Sequence, residues 1–157
     1  MKTRIGIKPE HLSLIADDLQ KILANEFVLY TKTRKAHWNI EGPDFYNKHK
    51  FFEEQYRDLE QFIDDVAERI RSIGHYPQAS LKDFLALTSL SEQSKYKCDS
   101  EGLITELLND HEAVIMHIRE NLYNVAVDHM DAGTCDFITT LMEKHEKMAW
   151  ILRSHLK

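Results

Sequence analysis

The chain has 157 residues, 43% of them hydrophobic, with five glycines, three prolines and a formal net charge of −6 at pH 7. That length supports one domain with a real core. Scarce glycine and proline suit long helices with short connections, and the acidic balance argues against a strongly nucleic-acid-binding body. Cys98 and Cys135 fit neither a CxxC motif nor a dense disulfide framework and read as free thiols of a reducing cytosol. Residues 1–9 lack the apolar stretch of a signal peptide, and no segment approaches about 18 uninterrupted apolar residues. The expectation is a cytoplasmic protein, with the nucleoid as an alternative address, and no membrane span.

Pro9 stands where proline favours a helix start. From there Leu12, Ile15, Leu19, Ile22, Glu26, Leu29, Thr33 and His37 follow three-and-four spacing, predicting a first helix that ends near Trp38. Gly42-Pro43-Asp44 marks a turn. Phe45, His49, Phe52, Tyr56, Leu59, Ile63, Val66, Ile70 and Ile73 then predict a second long helix, closed by Gly74 with Pro77 beyond it. Ser80-Leu81-Lys82-Asp83 resembles a capping box opening a short helix over 81–87, and 88–100 reads as loop. A third long helix is expected over about 101–127, with Ile104, Leu107, Leu108, His111, Ile115, Ile118 and Leu122 inward. A break over 128–134 precedes a fourth, striped by Ile138, Leu141, His145, Met148, Leu152 and His155. No strand signal and no repeat competes. The fold class is all-α: a single ferritin-like four-helix bundle over 1–157, with an eight-residue N-terminal extension and a short helix in the crossover between helices 2 and 3.

The second helix carries the chemistry. His49 and Glu53 are spaced i,i+4, and so are Asp64 and Glu68. The 15 residues from His49 to Asp64 separate the pairs by ~22 Å along the axis, too far for one metal ion. At ~100° per residue, however, all four fall within about a third of the circumference. An antiparallel copy related by a two-fold axis near residue 58 or 59 brings His49/Glu53 of one chain to Asp64/Glu68 of the other. Taken singly, each residue has an ordinary reading: His49 as a satisfied core histidine, Glu53 and Asp64 as solvated or salt-bridged surface. Together, beside an apolar seam, they read as a metal site built across a dimer interface. Imidazole with carboxylate suits Fe, Mn or Zn. Ordinary ferritin-like di-iron bundles carry Glu-x-x-His on two helices; that motif occurs nowhere in this chain, which rules out an intra-bundle centre of that kind.

Two segments resemble the signatures of the Dps family, the mini-ferritins: His37-Trp38-Asn39-Ile40-Glu41-Gly42 with His49, and Ile63-Asp64-Asp65-Val66-Ala67-Glu68-Arg69 with Ile73-Gly74 and Pro77. The resemblance extends over essentially the whole chain. It implies a hollow homododecamer of 23 symmetry with di-iron ferroxidase centres at its two-fold interfaces and ferric oxyhydroxide stored inside. It assigns His37, His49 and Glu53 to one subunit and Asp64 and Glu68 to its partner, with Trp38 beside the centre. Glu53 departs from the family's usual Asp, lengthening that carboxylate by one methylene. The substrates implied are Fe²⁺ and, in preference to O₂, H₂O₂. Acidic residues near the third-to-fourth helix break line three-fold pores in the family, which makes Asp128, Asp131 and Asp136 candidates; Asp131 reads equally as a helix N-terminal charge.

The other polar residues on these stripes carry weaker signals. His111 and His145 read as core histidines, while His117, His129 and His155 have no partner spacing. Glu26 faces either a cavity or an ion pair. Met116, Met130, Met142 and Met148 read as packing. The alternative function is a nucleoid-structuring protein that coats DNA directly. Lys2, Arg4 and Lys8 of the extension offer cations that many copies would multiply, but the acidic body makes weak or absent DNA binding the expectation.

Overall fold

The computed structural model describes residues 3–92 and 99–157. Those residues form helices α1 (Pro9–Asn39), α2 (Phe45–Ser72), α3 (Leu81–Leu87), α4 (Ser100–His117), α5 (Tyr123–Asp128) and α6 (Ala132–Ser154), with a π-helical turn, Ile118–Leu122, joining α4 to α5. No strand occurs among the described residues. Lys2 and Cys98 lie outside the described residues, as does the middle of the loop over 88–100. No helix is long and apolar enough to cross a membrane among the described residues.

The predicted stripes become the core. Leu12, Ile15, Leu19, Ile22 and Leu29 of α1 meet Phe52, Leu59, Val66 and Ile70 of α2 and the buried faces of α4 and α6. α1 pairs along α2 and α4 along α6, while α1 also packs on α3 and α4. At the end of α2, Gly74 adopts φ +94°, and a Cβ there would stand 2.0 Å from Thr3 Oγ1. The position therefore needs glycine for both backbone and space.

The crossover is held by polar side chains of α1 that its apolar periodicity gave no reason to single out. Gln20 donates to Tyr76 O at 2.9 Å and accepts from Gln78 N at 3.0 Å. Asn25 Oδ1 accepts from Thr88 Oγ1 and Ser89 N, each at 2.8 Å. Lys32 donates to Ser91 O at 2.9 Å, lies 3.1 Å from Glu106 and pairs with Asp110. Burial pushes the Asp110 carboxyl above its usual range, with Lys32 opposing. The capping box opens α3 as predicted: Asp83 N donates to Ser80 Oγ at 3.1 Å, and Ser80 N to Asp83 Oδ2 at 3.4 Å. Phe84 of α3 then stacks on Phe27 of α1, ring centroids 4.4 Å apart.

The structure corrects the sequence reading in three places. The third long helix is interrupted by the π turn, where Tyr123 N donates to Ile118 O. Steps of four keep Ile118, Leu122 and Ala126 buried through it, so the apolar pattern conceals the change of winding. His155 is exposed beyond the end of α6 rather than on its inward stripe. Met148 is buried and Met142 packs against the core, but Met116 and Met130 are exposed, Met130 in the left-handed turn between α5 and α6 at φ 59°.

Candidate metal centre

The histidine half of the predicted site is built by the α1–α2 hairpin. α1 carries His37 in its last turn and α2 carries His49 in its second, and the turn over 40–44 folds one back on the other. Their rings stack at 3.8 Å with 21° between planes. Each ring also bonds to the other residue's backbone: His37 Nδ1 lies 2.8 Å from His49 O, and His49 Nδ1 lies 2.8 Å from His37 O. A carbonyl oxygen only accepts, so both Nδ1 atoms carry the hydrogen and donate. In its neutral form each ring then holds its lone pair on Nε2. This is how metal-binding histidines are usually fixed, by a hydrogen bond on the opposite nitrogen. The His37 carbonyl is free to accept because it lies in the last turn of a helix. Tyr56 braces His37 edge-on, centroids 5.3 Å apart.

Glu53 sits one turn further along α2, part-buried, with Lys50 at 2.7 Å and Arg57 at 2.5 Å on its two oxygens. The hydrogen bond from Lys50, aided by the charges of Arg57 and of Lys50 itself, holds its carboxyl below the usual glutamate range. It is therefore ionised and ready to bind a cation, but its present partners are the surface cations of its own helix. Trp38 is exposed at 64%, with the Arg34 guanidinium 5.2 Å over its ring.

The acid half is different. Asp64 and Glu68 are exposed, and neither makes a hydrogen bond or ion pair with a described residue of its own chain. Within one chain, no three His, Cys, Asp or Glu side chains among the described residues converge to hold a metal. A single chain thus brings His37 and His49 together, places Glu53 nearby, and leaves Asp64 and Glu68 at a distance on the same helix.

Of the pore candidates, Asp128 and Asp136 are exposed. Asp131 is buried and committed. Its Oδ1 accepts from Arg69 Nη2 and from Thr134 N, both at 2.9 Å, and its Oδ2 accepts from Thr134 Oγ1 at 2.6 Å. It caps α6 and ties that cap to α2, so the helix-terminus reading of Asp131 describes what this chain does with it.

A family model for the ferritin-like domain matches residues 16–157. The chain is 33% identical to DNA protection during starvation protein 2 of Bacillus anthracis over 90% of its length and 96% of that protein's. It is 34% identical to the DNA protection during starvation protein of Helicobacter pylori, over 88% and 95% respectively. The Dps protein of Vibrio cholerae, described as a member of a broad superfamily of ferritin-like diiron-carboxylate proteins, superposes with a TM-score of 0.92 at 30% identity, covering 100% of this chain and 98% of that one. The chain belongs to the Dps family of ferritin-like proteins. Iron storage and DNA protection are that family's general roles.

As a Dps chain it contains side chains around the half-site that sequence reasoning missed: Tyr56 against His37, Lys50 and Arg57 on Glu53, and Arg69 beneath Asp131. Lys50 and Arg57 were legible as i−3 and i+4 partners of Glu53. The Arg69–Asp131 pairing crosses 62 residues and left no local signal.

Proposed function

We propose that two copies of this chain pair antiparallel along α2 and complete two ferroxidase centres. In each, His37, His49 and Glu53 of one subunit face Asp64 and Glu68 of the partner. Six such pairs close a hollow dodecamer that oxidises Fe²⁺ with H₂O₂ and stores the ferric oxyhydroxide product. The observation that carries this reading is the reciprocal histidine pair. Two imidazoles are locked with their Nδ1 atoms satisfied and Nε2 left for a ligand, and the helix that carries His49 also carries two acids with no partner among the described residues.

The chemistry follows from the donor set. Carboxylates bind Fe²⁺ and bind the more highly charged Fe³⁺ better, which favours loss of an electron. Two ferrous ions held together supply both electrons that one peroxide needs: two Fe²⁺, one H₂O₂ and two protons give two Fe³⁺ and two water molecules. Reducing peroxide in a single encounter avoids the one-electron step that would release hydroxyl radical. Storage and peroxide removal are then one reaction. Asp128 and Asp136 are the acids left to line an iron entry pore, since Asp131 is spent on Arg69 and Thr134. DNA contact through Arg4 and Lys8 is weak and falls steeply with salt, and a gel shift at two ionic strengths measures it.

The test combines mass with stoichiometry. Native mass corresponds to about twelve chains under isologous closed assembly. Anaerobic titration with H₂O₂ consumes two Fe²⁺ per peroxide with no trapped hydroxyl radical. A monodisperse monomer under non-denaturing conditions would falsify the interface centre, and a one-to-one ratio with radical release would sink the paired-electron chemistry.

A further inference from the structure

The middle of the bundle holds a carboxylate and two imidazoles with no exposed surface: Glu26 of α1, His111 of α4 and His145 of α6. They form a line. Glu26 Oε1 is 2.8 Å from His145 Nε2, and His145 Nδ1 is 2.9 Å from His111 Nδ1. Phe62 of α2 closes one side, its ring centroid 5.5 Å from that of His145. The interface centre uses none of these three residues, and packing does not explain them: an apolar trio would fill the space without burying charge.

Chemistry restricts how many protons this line holds. Two ring nitrogens in contact need one to donate and the other to accept. A buried carboxylate with no counter-charge is strongly disfavoured. Glu26 Oε1 and His145 Nε2 face each other as a close pair without hydrogen-bond alignment; one proton on either of them neutralises the pair, and in both cases His145 Nδ1–H donates to the lone pair on His111 Nδ1. His111 then stays neutral, its Nε2 buried without a partner. We propose that Glu26, His145 and His111 form a buried one-proton site, and that its refusal of a second proton makes the bundle acid-sensitive. Burial first, then the neighbouring His145, holds His111 well below the ordinary imidazole range.

The surrounding charges are committed elsewhere. Lys144 of α6 lies 4.9 Å over the Phe62 ring. Lys32 of α1 is paired with Glu106 and Asp110 of α4. From α2 it is the uncharged ring of Phe62 that meets the line.

Counting protons gives the test. By about pH 5.5, one unit below the free imidazole pKa, the unfolded chain holds protons on both histidines while Glu26 stays mostly ionised, about two protons in all, against one in the folded line. Unfolding there takes up about one proton, so the pH dependence of the unfolding constant steepens below about pH 6.5 and reaches about tenfold per pH unit between about pH 5.5 and 5. His111→Gln leaves one proton in each state and removes that slope. Glu26→Gln empties the folded line, so unfolding takes up two protons and the constant rises about a hundredfold per unit. The measurement is urea unfolding of the assembled full-length protein across this range, with each variant's slope read against wild type. Slopes that shift in opposite directions by about one proton each support the site. Unchanged slopes, or both variants shifting the same way, overturn it. If a variant fails to assemble, spectra of ¹⁵N-histidine in the wild-type shell decide: a His111 ring that stays neutral down to pH 5.5 supports the proposal, and one that titrates near pH 6.5 overturns it. Protection from acid unfolding by micromolar Zn²⁺ in a shell lacking His37, His49, Asp64 and Glu68 would show a cation in place of the proton and also overturn it.

Discussion

The two ends of α2 carry the two halves of one proposed site and are finished to different degrees. At the N-terminal end, His37 and His49 are stacked and reciprocally bonded to backbone, and Glu53 is held by Lys50 and Arg57. At the C-terminal end, Asp64 and Glu68 stand exposed with no such support. An imidazole presents its lone pair in one direction and gains from being fixed beforehand. A carboxylate has two oxygens and several lone pairs, and tolerates being placed by the approach of a partner. The histidine half is therefore organised by the chain itself, and on the proposed pairing the acid half is placed by the partner.

Removing either half tests this division, and the largest effect is expected on iron oxidation. Loss of supporting groups around a metal ligand already lowers activity or affinity by about 10- to 100-fold. The doubles Asp64→Ala/Glu68→Ala and His37→Ala/His49→Ala should each lose at least about 100-fold in the rate of Fe²⁺ oxidation by H₂O₂ while still assembling. Co-assembly of the two should then restore up to about a quarter of the wild-type centres. Half the pairs are mixed under random isologous association, and each mixed pair has one intact centre and one lacking all four ligands. No recovery in shells whose mixing is confirmed by mass would mean that histidines and acids do not meet across a subunit boundary.

Stability separates the halves next, by a smaller amount. His49→Ala removes the bond from His49 Nδ1 to His37 O together with the ring stack, while the backbone oxygen that accepts from His37 stays in place; each net hydrogen bond contributes about 0.5–1.5 kcal/mol. A loss of about 0.5–1.5 kcal/mol is expected by urea denaturation. Asp64→Ala, exposed and unpaired, should stay within about 0.5 kcal/mol of wild type. Asp131→Ala provides a scale, since it deletes the α6 cap and strands Arg69, at a cost of about 2–3 kcal/mol. An Asp64→Ala loss as large as that of His49→Ala would show the acid half to be structural within its own chain.

The four long helical segments and their caps were legible because apolar spacing and helix-end chemistry are local. Ser80 and Asp83, Gly74 and Pro9 announced their roles within a few residues of sequence. The separation of His49 and Glu53 from Asp64 and Glu68 along α2 was local too, because one helix fixes both spacing and azimuth. Other features were hidden for physical reasons. The π turn over Ile118–Leu122 preserves four-residue steps, so the inward pattern shows no break. The Glu26–His145–His111 line joins three helices, and single residues on three stripes gave no cause to connect them. Likewise Asp131 meets Arg69 only through the fold, so its tie to α2 left no sign in the sequence.

The finest difference between the halves lies in Glu53, which alone of the proposed ligands has charged partners among the described residues. Lys50 and Arg57 are both exposed on α2, and an incoming cation must displace them from the carboxylate or share it with them. Exposed pairs of this kind are weak and screened by solvent. Removing either cation should therefore raise affinity for a divalent ion by at most about fivefold, and the two together by more than either alone, since both act on the same carboxylate. Lys50→Ala and Arg57→Ala are the variants to compare, with Zn²⁺ or Co²⁺ binding to the assembled shell measured by calorimetry, so that no oxidation intervenes. A gain in affinity with unchanged native mass locates Glu53 among the ligands. Equal affinity in both variants and wild type would mean that Glu53 stays with its own helix's cations and that the centre is completed without it. The histidine half would then contribute His37 and His49 alone, and the methylene that separates Glu53 from the family's usual aspartate would be the physical reason.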